Sequence, residues 1–227
     1  MKKIFFFLAL FIAVSSIAQT SNQIELEKQK LKQALIYGDQ STATNMMYNI
    51  IALEGEKSVY KDSLAYLYFN RRSYLSCFLA TEDALKNSPN NIEILEMNAF
   101  SIEALGAYDK AIESYKKLLN TSNNNYHAYK IASLQFELKK FDEAYASIKK
   151  AESLPDSGTE NVTFSVNQNY NQPVPLKAAI VYLKGLTELN LDDKAATKAS
   201  MQKAIQLFPE FVLAKEVLSN LEAKPKE

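Results

Sequence analysis

Apolar residues recur along this chain in paired helical runs, and the pairs themselves repeat. Residues 23–37 place Ile24, Leu31, Ala34 and Leu35 on one face before Gly38-Asp39 breaks the run, and residues 41–53 follow as a second amphipathic stretch. The same two-run unit returns at 59–70 and 74–86, at 92–105 and 108–119, at 126–138 and 141–153, and at 176–189 and 193–207. Gly, Asn and Pro stand at the ends of the runs, where a helix turns left-handed or cannot continue. Residues 211–221 form one more amphipathic run, suited to covering the open end of a stack.

The spacing between equivalent positions is shared across columns. Ala43, Cys77, Ala111, Ala144 and Thr197 are separated by 34, 34, 33 and 53 residues. The same steps separate Met47, Thr81, Tyr115, Ile148 and Met201, then Ile50, Ala84, Leu118, Ala151 and Ala204, and then Leu31, Ala65, Ala99, Ala132 and Gly185. Tyr74, Tyr108 and Phe141 keep the first part of the pattern. A period near 34 residues marks a helix–turn–helix repeat, in which one pair cannot bury its apolar face alone and neighbours must stack. The small residues fall in the middle of first helices and near the start of second helices, where antiparallel helices approach only if the facing side chains are small.

The last step exceeds the others because residues 152–175 are inserted between the fourth and fifth pairs. This segment is rich in Asn, Gln, Ser and Pro, and Val162-Thr163-Phe164-Ser165-Val166 alternates like a strand. It is expected to be a surface loop holding a short hairpin, or a loop that closes over a groove or touches a partner.

The stretch Gly106-Ala107-Tyr108-Asp109-Lys110-Ala111-Ile112-Glu113-Ser114-Tyr115 resembles the second-helix signature of the tetratricopeptide repeat (TPR) family, and Lys140-Phe141-Asp142-Glu143-Ala144 repeats it. Tyr182-Leu183-Lys184-Gly185-Leu186 resembles the first-helix signature, and Pro89 and Pro209 fall at the closing proline. Thr197 departs from the pattern where Ala is usual, and the chain has no Trp. The resemblance implies an all-α, right-handed TPR-like solenoid of about five helix pairs (24–57, 58–91, 92–124, 125–153 and 176–209) with a capping helix at 211–221, one repeat domain spanning 19–222, and a disordered tail at 223–227.

The chain opens differently. Met1-Lys2-Lys3 is a basic start, residues 4–14 are an unbroken apolar run, and Ser15-Ser16-Ile17-Ala18 supplies small residues for cleavage after Ala18. That order is expected of a secretory signal peptide, with the periplasm of a bacterium as the expected address and an uncleaved anchor as the alternative. The run is short for a membrane span, so no transmembrane anchor is expected after cleavage. Losing Lys2 and Lys3 leaves two more acidic than basic residues, which gives no basic footprint for nucleic acid.

Candidate chemistry is sparse. Cys77 and His127 are the only residues of their types, too few for a zinc site and placed in columns of different orientation, so they are not expected to form a nucleophile–base pair. The five glycines are scattered, with no phosphate-cradling loop. Asp192-Asp193 opens a second helix and reads as a cap. Asn120-Thr121-Ser122 and Asn161-Val162-Thr163 match glycosylation acceptors, which carry no weight in a bacterial product. No cofactor, metal or enzymatic activity is expected.

The resemblance places binding on the first helices, whose remaining side chains line a concave groove. Those columns hold Asp62, Tyr66 and Phe69, then Glu93, Glu96, Phe100 and Glu103, then Tyr126, Tyr129 and Phe136, and then Tyr182. The groove is expected to be aromatic with an acidic centre, suited to an apolar, Lys- or Arg-bearing segment of a protein or peptide partner. Each ring has two readings, binding or packing between repeats. The family's Lys- and Asn-based clamp for a C-terminal carboxylate has no counterpart, because acids stand where bases are needed. The function that follows is a non-catalytic adaptor, scaffold or assembly factor. Carbohydrate or cell-wall binding through the same rings, and structural self-association, are the alternatives.

Overall fold

The computed structural model of the protein describes residues 2–156 and 158–223, with side chains from residue 19 onward. The expected cleavage point therefore concerns residues whose side chains lie outside the described set, as does most of the expected tail. In chain order the elements are α1 (Lys2–Ile36), α2 (Gln40–Glu54), α3 (Tyr60–Asn70), α4 (Tyr74–Leu85), α5 (Ile92–Ala104), α6 (Tyr108–Ser122), α7 (Asn125–Glu137) and α8 (Phe141–Ser153). A hairpin of β1 (Asn161–Asn167) and β2 (Tyr170–Pro175) follows, then α9 (Leu176–Asn190), α10 (Lys194–Leu207) and α11 (Val212–Glu222). The first helix differs from expectation by running unbroken from Lys2 instead of starting near residue 23. Among the described residues no helix is long and apolar enough to cross a membrane.

Where the sequence suggests one repeat domain, the chain divides into two compact units, the first ending at Leu105 and the second starting at Gly106. In the first unit, α1 packs on α2, α3 on α4, and α4 on α5. In the second, α7 packs on α8, α9 on α10, and α11 closes against α10. Every member of the four repeating columns is buried. The ring column is half-buried, with Tyr74, Tyr108 and Phe141 at the first position of their helices.

Gly185 sits at a tight contact between the two helices of the fifth pair. A Cβ added at Gly185 would lie 2.5 Å from Met201 Cε and 3.1 Å from Ser200 Cβ, with the Thr197 carbonyl at 3.5 Å. The fifth pair thus approaches too closely at this point for a side chain on its first helix unless Met201 moves.

One further column is legible only in the backbone. Gly38, Arg72, Gly106, Lys139 and Asp192 have φ of 69°, 56°, 76°, 58° and 62°, and they keep the 34, 34, 33 and 53 spacing. Each is the left-handed residue that ends a first helix. After four of them the next N–H returns to a carbonyl five residues back, each at 2.9 Å: Asp39 to Ala34, Ser73 to Tyr68, Lys140 to Gln135 and Asp193 to Glu188. That bond satisfies a terminal carbonyl of the helix and fixes the angle at which the second helix departs. The second helices then start on caps where the sequence supplies them. Asp39 accepts from Thr42 N at 3.0 Å and Asp193 from Ala196 N at 2.9 Å. Asn91 and Asn124 cap α5 and α7 in the same way.

The insertion is a hairpin that belongs to the core of the second unit. Its strands pair antiparallel, with Val162 opposite Val174 and Phe164 opposite Gln172, and the register breaks between Ser165 and Asn167. Val174 is fully buried. Phe164 meets Tyr182 edge-on at 5.5 Å and Phe211 at the same distance. Gln172, 3% exposed, donates from Nε2 to the Glu210 carbonyl at 2.6 Å and accepts from Val212 N at 3.1 Å. A side-chain amide therefore supplies peptide-like bonds to the turn before α11, which pins the capping helix to the hairpin.

Candidate functional site

One open site lies in the first unit. Its floor and walls come from α1, α2, α3 and α5, which enclose a groove of about 940 Å³. α1 contributes Leu31, Ala34, Leu35 and Ile36, α3 contributes Asp62, Tyr66, Leu67 and Asn70, and α5 contributes Glu93, Ile94 and Met97. The apolar face of these helices splits by depth. Leu31, Ala34, Ile94 and Met97 are buried floor, whereas Leu35, Ile36 and Tyr66 are 53%, 65% and 56% exposed. Large apolar side chains are thus left in water around one groove.

The charges of the groove are unevenly satisfied. Lys28 pairs with Glu54 at 2.9 Å and lies over the Tyr60 ring. Asp39 is engaged as the cap of α2, and the hydrogen bonds from Thr42 hold its carboxyl below the usual range. Asp62 is half-buried and meets the Asn91 amide at 3.5 Å. Burial lifts its carboxyl above the ordinary value, and among the described residues no cation pairs with it to offset the lost hydration. Glu96, on the same helix as Glu93, is lifted by burial and then by the like charge of Glu93.

Of the residues expected to line a groove, Asp62, Tyr66 and Glu93 do so. Phe69 and Phe100 instead form a ring cluster with Tyr74, at 5.4 Å from each other and 6.5 and 5.7 Å from Tyr74. Phe100 keeps 38% of its surface exposed, and Glu103 is half-buried.

In the second unit the expected residues turn into packing. Tyr129 and Tyr182 are each 6% exposed, and Tyr126 and Phe136 are half-buried against the same core. Phe136 meets Phe141 edge-on, and Tyr182 lies tilted against Phe211 at 4.7 Å beneath the hairpin. The groove residues that sequence reasoning missed include Leu35, Ile36 and Asn70, besides the buried floor residues Ile94 and Met97. The first two lie at the end of α1, where the repeat pattern is weakest, and their signal is an apolar pair continuing past the buried face.

The two reactive side chains are structural. Cys77 is fully buried and burial pushes its thiol up, away from the reactive thiolate. His127 is 2% exposed with Nδ1 2.7 Å from Ser122 Oγ, and burial lowers its basicity. Ser122 also accepts the Asn124 N–H at 3.4 Å, so the hydroxyl works in the turn between α6 and α7.

These helical pairs define a helical-repeat protein. A tetratricopeptide repeat model matches residues 128–156 and 178–211. Solved structures of the same fold include MamA, at 20% identity over 74% of this chain and 81% of that one with a TM-score of 0.58. MamA from Desulfovibrio magneticus RS-1 gives 18% identity, the same TM-score, and coverage of 74% and 84%. YrrB, described as a TPR protein with an unusual peptide-binding site, gives 14% identity, a TM-score of 0.65, and coverage of 88% and 97%. None of the curated proteins compared with the chain matches it. The chain thus carries tetratricopeptide repeats at 128–156 and 178–211 and shares its fold with these structures.

Proposed function

We propose that the protein is a non-catalytic interaction module that holds an extended segment of a partner protein in the groove of its first unit. The observation that carries this reading is the groove itself, where Tyr66, Leu35 and Ile36 stand exposed beside a half-buried Asp62 whose carboxyl is lifted by burial. An apolar side chain of the partner covers Tyr66 and the end of α1, and a Lys or Arg next to it offsets the desolvation of Asp62. The peptide-binding site named for YrrB, on a similar fold, supports the same mode of use.

A photo-reactive residue at position 66 is expected to capture the partner, and one at position 182 is not. With the partner in hand, Tyr66→Ala is expected to weaken binding by more than about 1 kcal/mol. A folded Tyr66→Ala variant that binds like the wild type would remove the groove from consideration.

The protein acts in this reading as an adaptor, scaffold or assembly factor outside the cytoplasm, in the periplasm. The order of basic start, apolar run and small residues at 15–18 supports this address. The mature protein is expected to lack residues 1–18. An intact mass that retains Met1 would sink the export reading while leaving the groove untouched.

A further inference from the structure

The two edges of the hairpin are chemically unequal. Leu176 N–H donates to the Glu160 carbonyl at 2.9 Å, so Glu160 and Leu176 face each other as a hydrogen-bonded pair. Antiparallel pairs alternate between bonded and non-bonded. With the observed register, Val162–Val174 and Phe164–Gln172 are therefore the next bonded pairs, and Asn161–Pro175 and Thr163–Pro173 are the non-bonded ones. The prolines agree with this phase, because a residue without an N–H cannot stand at a bonded position. Pro173 and Pro175 consequently face outward from β2 and blunt that edge. The outward backbone groups of β1 belong to Asn161, Thr163 and Ser165. All three residues are exposed, and among the described residues their outward groups face no other strand.

β1 carries few of the usual protections of a free edge, the register break between Ser165 and Asn167 being one. It has no proline and no charged residue. Its order is also nearly the same in both directions: Asn161, Val162 and Thr163 before Phe164 are mirrored by Ser165, Val166 and Asn167 after it. An antiparallel neighbour of identical sequence therefore sets Thr163 opposite Ser165, Val162 opposite Val166 and Asn161 opposite Asn167, like against like with no charge to repel. The bonding phase suits that neighbour as well. Phe164 turns its backbone toward β2, so it falls at the non-bonded centre of the new seam, while Thr163 and Ser165 fall at bonded positions on either side.

We propose that the outer edge of β1 is an interface for a second copy of this chain, which adds its own β1 antiparallel across a two-fold axis at Phe164. The result is a four-stranded sheet, β2–β1 of one copy followed by β1–β2 of the other. Thr163 of each copy exchanges both backbone hydrogen bonds with Ser165 of the second copy. The interface is self-complementary, as two-fold symmetry requires. It also turns a two-stranded hairpin, marginal by itself, into a sheet of ordinary width.

Sedimentation equilibrium of the isolated protein over a range of concentrations tests this. The wild type is expected to pass from monomer to dimer. Thr163→Pro removes an outward N–H without touching the pairing to β2, since position 163 sits at a non-bonded pair. The T163K/S165K double variant sets like charges opposite each other across the seam. Both are expected to shift the dimerisation midpoint upward by about tenfold or more, corresponding to about 1.4 kcal/mol. Gln168→Lys, in the hairpin turn and off the seam, is expected to leave it unchanged. Circular dichroism checks that each variant keeps its helices. A wild type that stays monomeric at every concentration overturns the proposal. So does a dimer that T163P and T163K/S165K form as readily as the wild type, because the contact would then lie elsewhere.

Discussion

Phe211→Ala is expected to cost the second unit about 3–5 kcal/mol, the range for removing a buried aromatic ring from a core. Phe211 is fully buried and belongs to the largest side chains that are. It lies 4.7 Å from Tyr182, 5.5 Å from Phe164 and 6.2 Å from Phe208, so one ring joins α9, the hairpin and the end of α10. No single neighbour can collapse into the space it would leave without opening a second gap. Denaturant unfolding of the variant measures the loss, and hydrogen exchange locates it. Amides of α9, α11 and the hairpin are expected to lose protection together. Phe211→Leu, which keeps much of the apolar volume, is expected to lose less. A Phe211→Ala variant within about 1 kcal/mol of wild type would mean that the ring is not a keystone of this core.

The second large effect is expected from Gln172→Leu. Leucine fits the buried site in size but makes neither of the two hydrogen bonds that Gln172 gives and takes. The Glu210 carbonyl and the Val212 N–H are then left unpaired. Glu210 and Val212 are exposed residues, so water replaces part of what is lost, and two hydrogen bonds at about 0.5–1.5 kcal/mol each bring the loss to about 1–3 kcal/mol. Val212 opens α11, and its N–H is one of those that a helix leaves without an internal partner. Its exchange rate therefore reports the amide clamp directly. The Val212 amide is expected to become the least protected of its helix in Gln172→Leu. Unchanged exchange there, with unchanged stability, would show that the hairpin holds α11 through its apolar contacts alone.

Both substitutions fall on residues that sequence periodicity leaves unassigned. Gln172 sits in a segment rich in Asn, Gln, Ser and Pro, where a buried amide looks like any solvated one. Its value depends on which backbone groups come within hydrogen-bond reach of it, and those belong to residues 38 and 40 positions further along. Tyr182 illustrates the reverse case. Its column identifies a first-helix position suited to a groove, yet the inserted hairpin covers it with Phe164, and the turn before α11 sets Phe211 against it. The corresponding position in the first unit is Asp62, where no insertion exists to cover it, and Tyr66, one turn further along the same helix, remains exposed. A column marks the direction of a side chain. It does not record whether another segment has already filled the space in front.

The sequence by itself determined the helical pairs, their period, the small-residue contacts and the site of the insertion. These follow from local rules, since helix faces, breakers and capping residues act within a few positions of one another and a repeat states them several times over. The left-handed turn column escaped because Gly, Arg, Lys and Asp all serve there, and only the backbone φ unites them. The tertiary structure decided which groove stays open and which aromatics became core. It also decided what the insertion does and which edge of its hairpin is left unpaired. Those outcomes depend on segments distant in sequence competing for the same apolar surface, and burial is settled by the segment that reaches that surface, whatever the column predicts.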